Sequence, residues 1–273
     1  MKDFLTKPTE KKLHIGIILP DTKFSKELSA LVDWCLDHPR IEVDCLVTLM
    51  HRHHKRNITT LFQQVLWKTV ITFESLFAKD LNQSIDSLIG DFDTWDKIKK
   101  IKIDPSSDQA KQSISELKAC DLDLLIAFEL NETSQIMSQA SRLGLLSFCH
   151  DGQNQKFEYP LCFEEVLKKQ NKTSFDIVHV APKTQKVERV LKGSFVTHNF
   201  FLTNQRNLFL RRNFYMQKII EDIYQGKNLN GKALKPGSQI NKVATPRAID
   251  QFRYIIHATS MIKNKILNKL INK

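Results

Sequence analysis

Apolar residues fall along this chain in short runs that alternate with longer stretches of helical spacing. The run LHIGIIL at 13–19 is closed by Pro20 and Asp21. Phe24, Leu28, Leu31, Val32 and Cys35 then recur at the spacing of one helix face until Pro39 ends the pattern. A second run, IEVDCLVTL at 41–49, completes a strand–helix–strand unit. The same order returns over 121–152, DLDLLIAFELNETSQIMSQASRLGLLSFCHDG. Leu122, Leu124, Leu125, Ile126 and Phe128 suit a strand covered on both faces. Asn131, Glu132, Thr133 and Ser134 are N-cap types before a helix carrying Ile136, Met137, Ala140 and Leu143. Gly144 stops that helix, and LLSFC follows as a short buried strand. These units predict 13–19, 41–49, 122–128 and 145–149 as neighbouring parallel strands. Their carboxyl ends then share one edge, where open α/β sheets hold ligands. Ser147, Cys149 and His150 stand at that edge.

The remaining pattern fills in around these units. Ile58, Leu61, Phe62, Val65, Leu66, Phe73, Leu76 and Phe77 form one stripe over 57–78, predicting a helix packed in the core. Residues 79–107 are polar and loop-rich, with KIKID as a short strand. Pro105, Ser106, Ser107 and Asp108 form a turn and cap before a helix through Ile114 and Leu117. After Gly152 comes an irregular loop and then a helix in LCFEEVLKKQ. TSFDIVHV at 173–180 and VERVLKGSFV at 187–196 predict a β-hairpin across the turn PKTQ. From Thr203 a helix runs to Ile223, with Arg206, Arg211 and Arg212 assigned to its polar side. The stretch 224–248 is rich in glycine, proline, asparagine and lysine and reads as a linker. A basic amphipathic helix follows over 249–273, its apolar face formed by Phe252, Ile255, Ile256, Ile262, Ile266 and Leu270. That face should be covered by its own domain or by another chain. The expected organisation is a disordered lead-in at 1–11, one domain over 12–223, a linker and this helix. A homo-oligomer through 57–78 or 249–273 is the alternative use of the two stripes.

Composition narrows the class. At 273 residues the chain can bury a sizeable core, and its formal net charge of +11 suits anionic partners as well as solubility. The five cysteines, Cys35, Cys45, Cys120, Cys149 and Cys162, are scattered without a CxxC, so paired-thiolate zinc binding is not expected and the thiols read as reduced. His51, His53 and His54 lie in HRHHK without a nearby fixed carboxylate or thiolate, and read as a solvated loop with no metal. The turn LPDTKFS has no glycine to approach a pyrophosphate, which argues against a tightly bound dinucleotide. The polar amino terminus and the lack of an apolar run of about 18 residues place the protein in the cytoplasm, with no transmembrane segment.

Several segments taken together resemble a known family. LDLLIAFEL, RLGLLSFCHDG, PLCFEEVLKK and VLKGSFVTHNFFLTNQRNLFLRR are similar to the amino-terminal domain of formyltransferases. They most resemble a divergent bacterial branch linked to surface-sugar metabolism. The resemblance covers about 13–223 and is strongest from 122 to 222. It implies a Rossmann-like α/β fold with a mostly parallel sheet. It also implies transfer of a formyl group from 10-formyltetrahydrofolate to an amine; acceptors in the family include methionyl-tRNA, glycinamide ribonucleotide and amino-sugar nucleotides. The family's Asn and His, two residues apart at a strand end, stabilise the developing oxyanion, and a distant Asp orients the His.

By this resemblance the Asn position falls on Ser147, the His position on Cys149 and the Asp position on Gln185, and none of the three matches. The branch tends to carry two histidines in a row, of which His150 remains. Three alternatives stay open: formyl transfer is lost, the site is rebuilt with His150 and Asp151, or Asp176 serves as the acid. The corresponding functions are a formyltransferase acting on a sugar-nucleotide or other small amine, and a catalytically silent binding or scaffolding module. An RNA-binding reading rests only on charge and on Arg206, Arg211 and Arg212. The stretch after the domain is too short for the β-barrel of tRNA-formylating relatives, which argues against that acceptor; DNA is not expected.

Overall fold

The computed structural model describes residues 12–19, 23–49, 58–77, 89–91, 95–103, 109–149, 161–229, 231–234 and 246–271. Strand β1 (Leu13–Leu19) leads through a short β2 (Lys23–Ser25) into helix α1 (Lys26–Asp37) and strand β3 (Ile41–Leu49). Helix α2 (Ile58–Phe77), β4 (Ile89–Asp91), β5 (Lys99–Ile103) and α3 (Gln109–Lys118) precede β6 (Leu124–Ala127). Helix α4 (Glu132–Met137) and a 3-10 turn (Ser138–Ala140) return the chain to β7 (Leu145–Cys149). The short α5 (Phe163–Leu167), the hairpin β8 (Lys172–Val180) and β9 (Val187–Val196), α6 (Phe201–Tyr224), β10 (Lys232–Ala233) and α7 (Ala248–Ile271) complete the order.

Among the described residues eight strands make one sheet in the order β10-β9-β8-β7-β6-β1-β3-β5, while β2 and β4 pair separately. From β7 to β5 every pairing is parallel, and from β7 to β10 every pairing is antiparallel. The four predicted strands are therefore parallel neighbours, and the protein has a Rossmann-like α/β fold. Strand order reverses between β1 and β6, the switch point at which ligands enter such sheets.

Local signals fix the βαβ unit from β6 to β7. Asn131 Oδ1 accepts from the Ser134 N–H at 2.7 Å and Ser134 Oγ accepts from the Asn131 N–H at 2.8 Å, a reciprocal capping box. Gly144 adopts φ 88, and a Cβ there would stand 2.2 Å from the Val180 carbonyl oxygen, so no side chain is tolerated. One face of the sheet, with Ile15, Ile17, Leu46, Ile126 and Leu146, is covered by α1 and α6. The other, with Val47, Ile101, Leu125, Leu145 and Val178, packs with Leu117 of α3 and Met137 of α4. Each fully buried aliphatic side chain contributes roughly 1.5–3 kcal/mol relative to exposure.

Beside the sheet, α2, α5, α6 and α7 meet in an aromatic cluster. Phe163, Phe201, Tyr254 and Trp67 stack tilted or edge-on at centroid distances of 5.0–5.8 Å. Phe200 offers no side-chain cap to α6. The cap comes instead from Glu74 of α2, whose carboxylate oxygens accept from the Phe201 and Leu202 N–H groups at 2.8 Å each. The Tyr254 hydroxyl also accepts from Phe201 N–H, at 3.1 Å.

This junction corrects three helix readings. Val65, assigned to the buried stripe of α2, is 64 % exposed, whereas Val70 and Glu74 face the cluster. In α7 the buried line is Gln251, Tyr254 and Ala258, while Phe252 and Ile256 face outward. Arg212, assigned to the polar side of α6, is buried against the sheet. In each case the helix is turned by its aromatic or polar anchor rather than by its aliphatic residues.

Candidate functional site

The carboxyl edge of the parallel strands is built outward from β7. Ser147 and Cys149 alternate with Phe148, so the first two share one face and Phe148 takes the other. Ser147 is fully buried, and its hydroxyl donates to the Phe148 carbonyl at 3.3 Å. Cys149 is half-buried and stands directly across from Asp176 of β8. Opposed residues of an antiparallel pair point to the same side, so Ser147, Cys149 and Asp176 form one group.

Asp176 is fully buried, and its charge is already matched. The pairing of β8 with β9 shifts between Ile177 and Val178, so that Val178 opposes Arg189. That bulge turns Arg189 to the face of Asp176, and its Nε lies 3.0 Å from Asp176 Oδ2. A carboxylate held this way is a structural counter-ion and is poorly placed to take a proton from a substrate amine.

Gln185 is not brought to this group. Because Leu145 pairs with Val180 and Cys149 with Asp176, the turn that carries Gln185 lies at the opposite, amino edge of the sheet. Four residues of strand separate the two ends, roughly 13 Å at about 3.4 Å per residue. Gln185 instead shapes the hairpin turn, with φ 52 and its N–H donating to Ala181 at 2.9 Å. His150 and Asp151 lie outside the described residues, as do His51, His53 and His54.

Of the sequence alternatives, Asp176 is the acid that the register brings across from Cys149, whereas the burial of Arg212 escaped the sequence reading. Asp176 is a lone acid inside the apolar strand TSFDIVHV, a pattern that signals a buried charge needing a partner. Arg212 reaches over from α6, its guanidinium 5.5 Å from the Phe148 ring centroid, and Nη2 donates to the Cys149 carbonyl at 3.4 Å. Burial lowers its pKa from the ordinary value, against the attraction of nearby acidic groups including Glu129 and Glu165.

Three of the other thiols are unsuited to nucleophilic work. Burial pushes Cys35 and Cys45 each up to about 12 and raises Cys162 as well, so all three stay protonated. One trio of metal-ligand types occurs among the described residues: His14, Glu42 and Asp44, with donor atoms within 4.8 Å of one another. It stands at the amino edge, away from Cys149. Its members already pair, His14 Nδ1 with Asp44 at 3.0 Å and Glu42 with Lys12 at 3.7 Å. Among the described residues no helix is long and apolar enough to cross a membrane.

No family model matches the chain, and neither does any curated protein. Solved structures do align over most of its length. Glycinamide ribonucleotide transformylase 1 from Symbiobacterium toebii is 12% identical with a TM-score of 0.49, over 82% of this chain and 95% of that one. A sugar N-formyltransferase from a Shewanella species is 8% identical with a TM-score of 0.46, over 90% and 87%. A sugar 3N-formyltransferase solved with dTDP and 5-N-formyl-THF is 9% identical with a TM-score of 0.46, over 90% and 79%. At such distances the fold rests on this chain's own strand order.

Proposed function

We propose that this chain is a formyltransferase-type domain that keeps the ligand edge of the fold but not the formyl-transfer chemistry. It serves as a binding module for an anionic, amine-bearing small molecule of the amino-sugar nucleotide class. The motif segments 122–130 and 142–152 support the family reading, and the fold is the one they imply. The observation that carries the loss of chemistry is Asp176. It is the carboxylate opposite Cys149, it is fully buried, and it is neutralised by Arg189 at 3.0 Å. Cys149 in the place of an imidazole offers only a weak S–H donor to a developing oxyanion.

The test is formyl transfer from 10-formyltetrahydrofolate to a panel of amino-sugar nucleotides, with binding of each measured by calorimetry. Binding of a nucleotide without turnover is the expected result. Turnover that falls roughly a hundredfold or more in His150→Ala would overturn it in favour of a site rebuilt around His150 and Asp151. Absence of any nucleotide binding would remove the module reading as well.

A further inference from the structure

Arg212 is a buried cation with too few partners. It is 3 % exposed, yet a guanidinium carries five N–H donors in a fixed plane. Among the described residues it makes one hydrogen bond, the long 3.4 Å contact to the Cys149 carbonyl, and its Nε has none. Glu129 and Glu165 act on it through space and make no ion pair with it among the described residues. Phe148 holds the plane of the guanidinium from one side, so its orientation is set before any ligand arrives. Buried charges are normally paired, and an unsatisfied one in a native structure marks a place where something else binds. This place is the end of β7, one strand from the switch point of the sheet.

We propose that Arg212 is the anion anchor of this edge, its Nε, buried and without a hydrogen-bond partner among the described residues, receiving a phosphoryl group of a nucleotide-linked ligand. Arginine suits the task better than lysine because its planar fork matches two phosphoryl oxygens at once. The anchor rests on the binding-module reading for its ligand class, but the site itself can be tested with simple anions. A phosphoryl group could come from free phosphate or from a nucleotide, and the two are separated by comparing inorganic phosphate with UDP.

The full chain would be titrated with each at constant ionic strength, chloride replacing the anion in the control. Arginine Nε–H signals would be followed by heteronuclear NMR, with that of Arg212 assigned by its loss in Arg212→Lys. The expected result is a saturable shift of that signal. With it should come a rise in melting temperature of about 3–5 °C at ten times the dissociation constant. Arg212→Met should abolish the thermal response, while Arg211→Met on the exposed side of α6 should keep it. Tighter binding of UDP assigns a nucleotide-linked group, and equal binding assigns a free phosphate; both support the anchor. An Nε–H signal indifferent to both anions overturns it, and because that reading is made on wild type it stands even if Arg212→Met does not fold. If nucleotides bind with Arg212 silent, the anchor falls and the module remains; if phosphate alone shifts Arg212, the anchor remains and the module falls.

Discussion

Replacing Glu74 with Gln should change how the stability of this protein depends on pH. Glu74 is fully buried, and burial pushes its carboxyl from 4.5 up to about 8, although the Phe201 and Leu202 N–H groups pull it the other way. The folded protein therefore holds this proton more tightly than the unfolded chain. Stability from this group is full below about pH 4.5, declines as pH rises towards about 8 and then levels. One pKa unit corresponds to about 1.4 kcal/mol, so wild type should lose about 2.5–3 kcal/mol between pH 6 and pH 9 relative to a side chain that cannot ionise. Gln is nearly isosteric and keeps one acceptor for the start of α6. Urea unfolding of both proteins at pH 5, 6, 7, 8 and 9 reads the difference directly. Relative to its offset at pH 6, the Glu74→Gln curve should rise above wild type on the alkaline side, by about 2.5–3 kcal/mol at pH 9. Parallel curves across this range would refute the placement of Glu74 as a buried, proton-holding cap.

Other outcomes follow from single contacts. Arg189→Ala should cost about 3–5 kcal/mol by leaving Asp176 buried without its partner, whereas Asp176→Leu with Arg189→Met should recover most of that loss in the same unfolding assay. Gly193→Ala should destabilise by roughly 1–3 kcal/mol, because its Cβ would stand 2.3 Å from the Phe175 ring across the β8–β9 pair. Tyr254→Ala should cost about 3–5 kcal/mol by emptying the aromatic cluster, and Tyr254→Phe only about 1 kcal/mol, since Glu74 still accepts from Phe201. A Tyr254→Phe loss as large as that of Tyr254→Ala would mean that the hydroxyl, rather than the ring, holds α7.

The sheet was legible because its signals are local. Runs such as LLIA and LLSFC are short, apolar and bounded by Asn131 and Gly144, so their type and order follow from neighbours in sequence. What the pattern could not show is rotation about helix axes set by distant partners. Val65, Phe252 and Ile256 are as apolar as the residues that are buried, but Glu74 and Tyr254 must converge on the amino end of α6, and that requirement turns both helices. The same limit hid Arg212, whose burial depends on Phe148 and the end of β7 more than sixty positions earlier. At the candidate site the strand positions of Ser147 and Cys149 were readable. The partner of Cys149 was not, because it depends on the pairing register between β7 and β8, which put Asp176 rather than Gln185 across from it.

The strand at one border of the sheet has a bearing on how copies of this protein meet. Along β5, KKIKI, only Ile101 and Ile103 are buried; Lys99 and Lys100 precede them and Lys102 stands between them, at a border with no further strand among the described residues. Repeated lysines at such a border repel an incoming strand that carries the same charges, so two sheets cannot easily zip together there. The other border is closed by β10, which is two residues long. Part of the positive charge of this chain thus guards this border against strand-to-strand association.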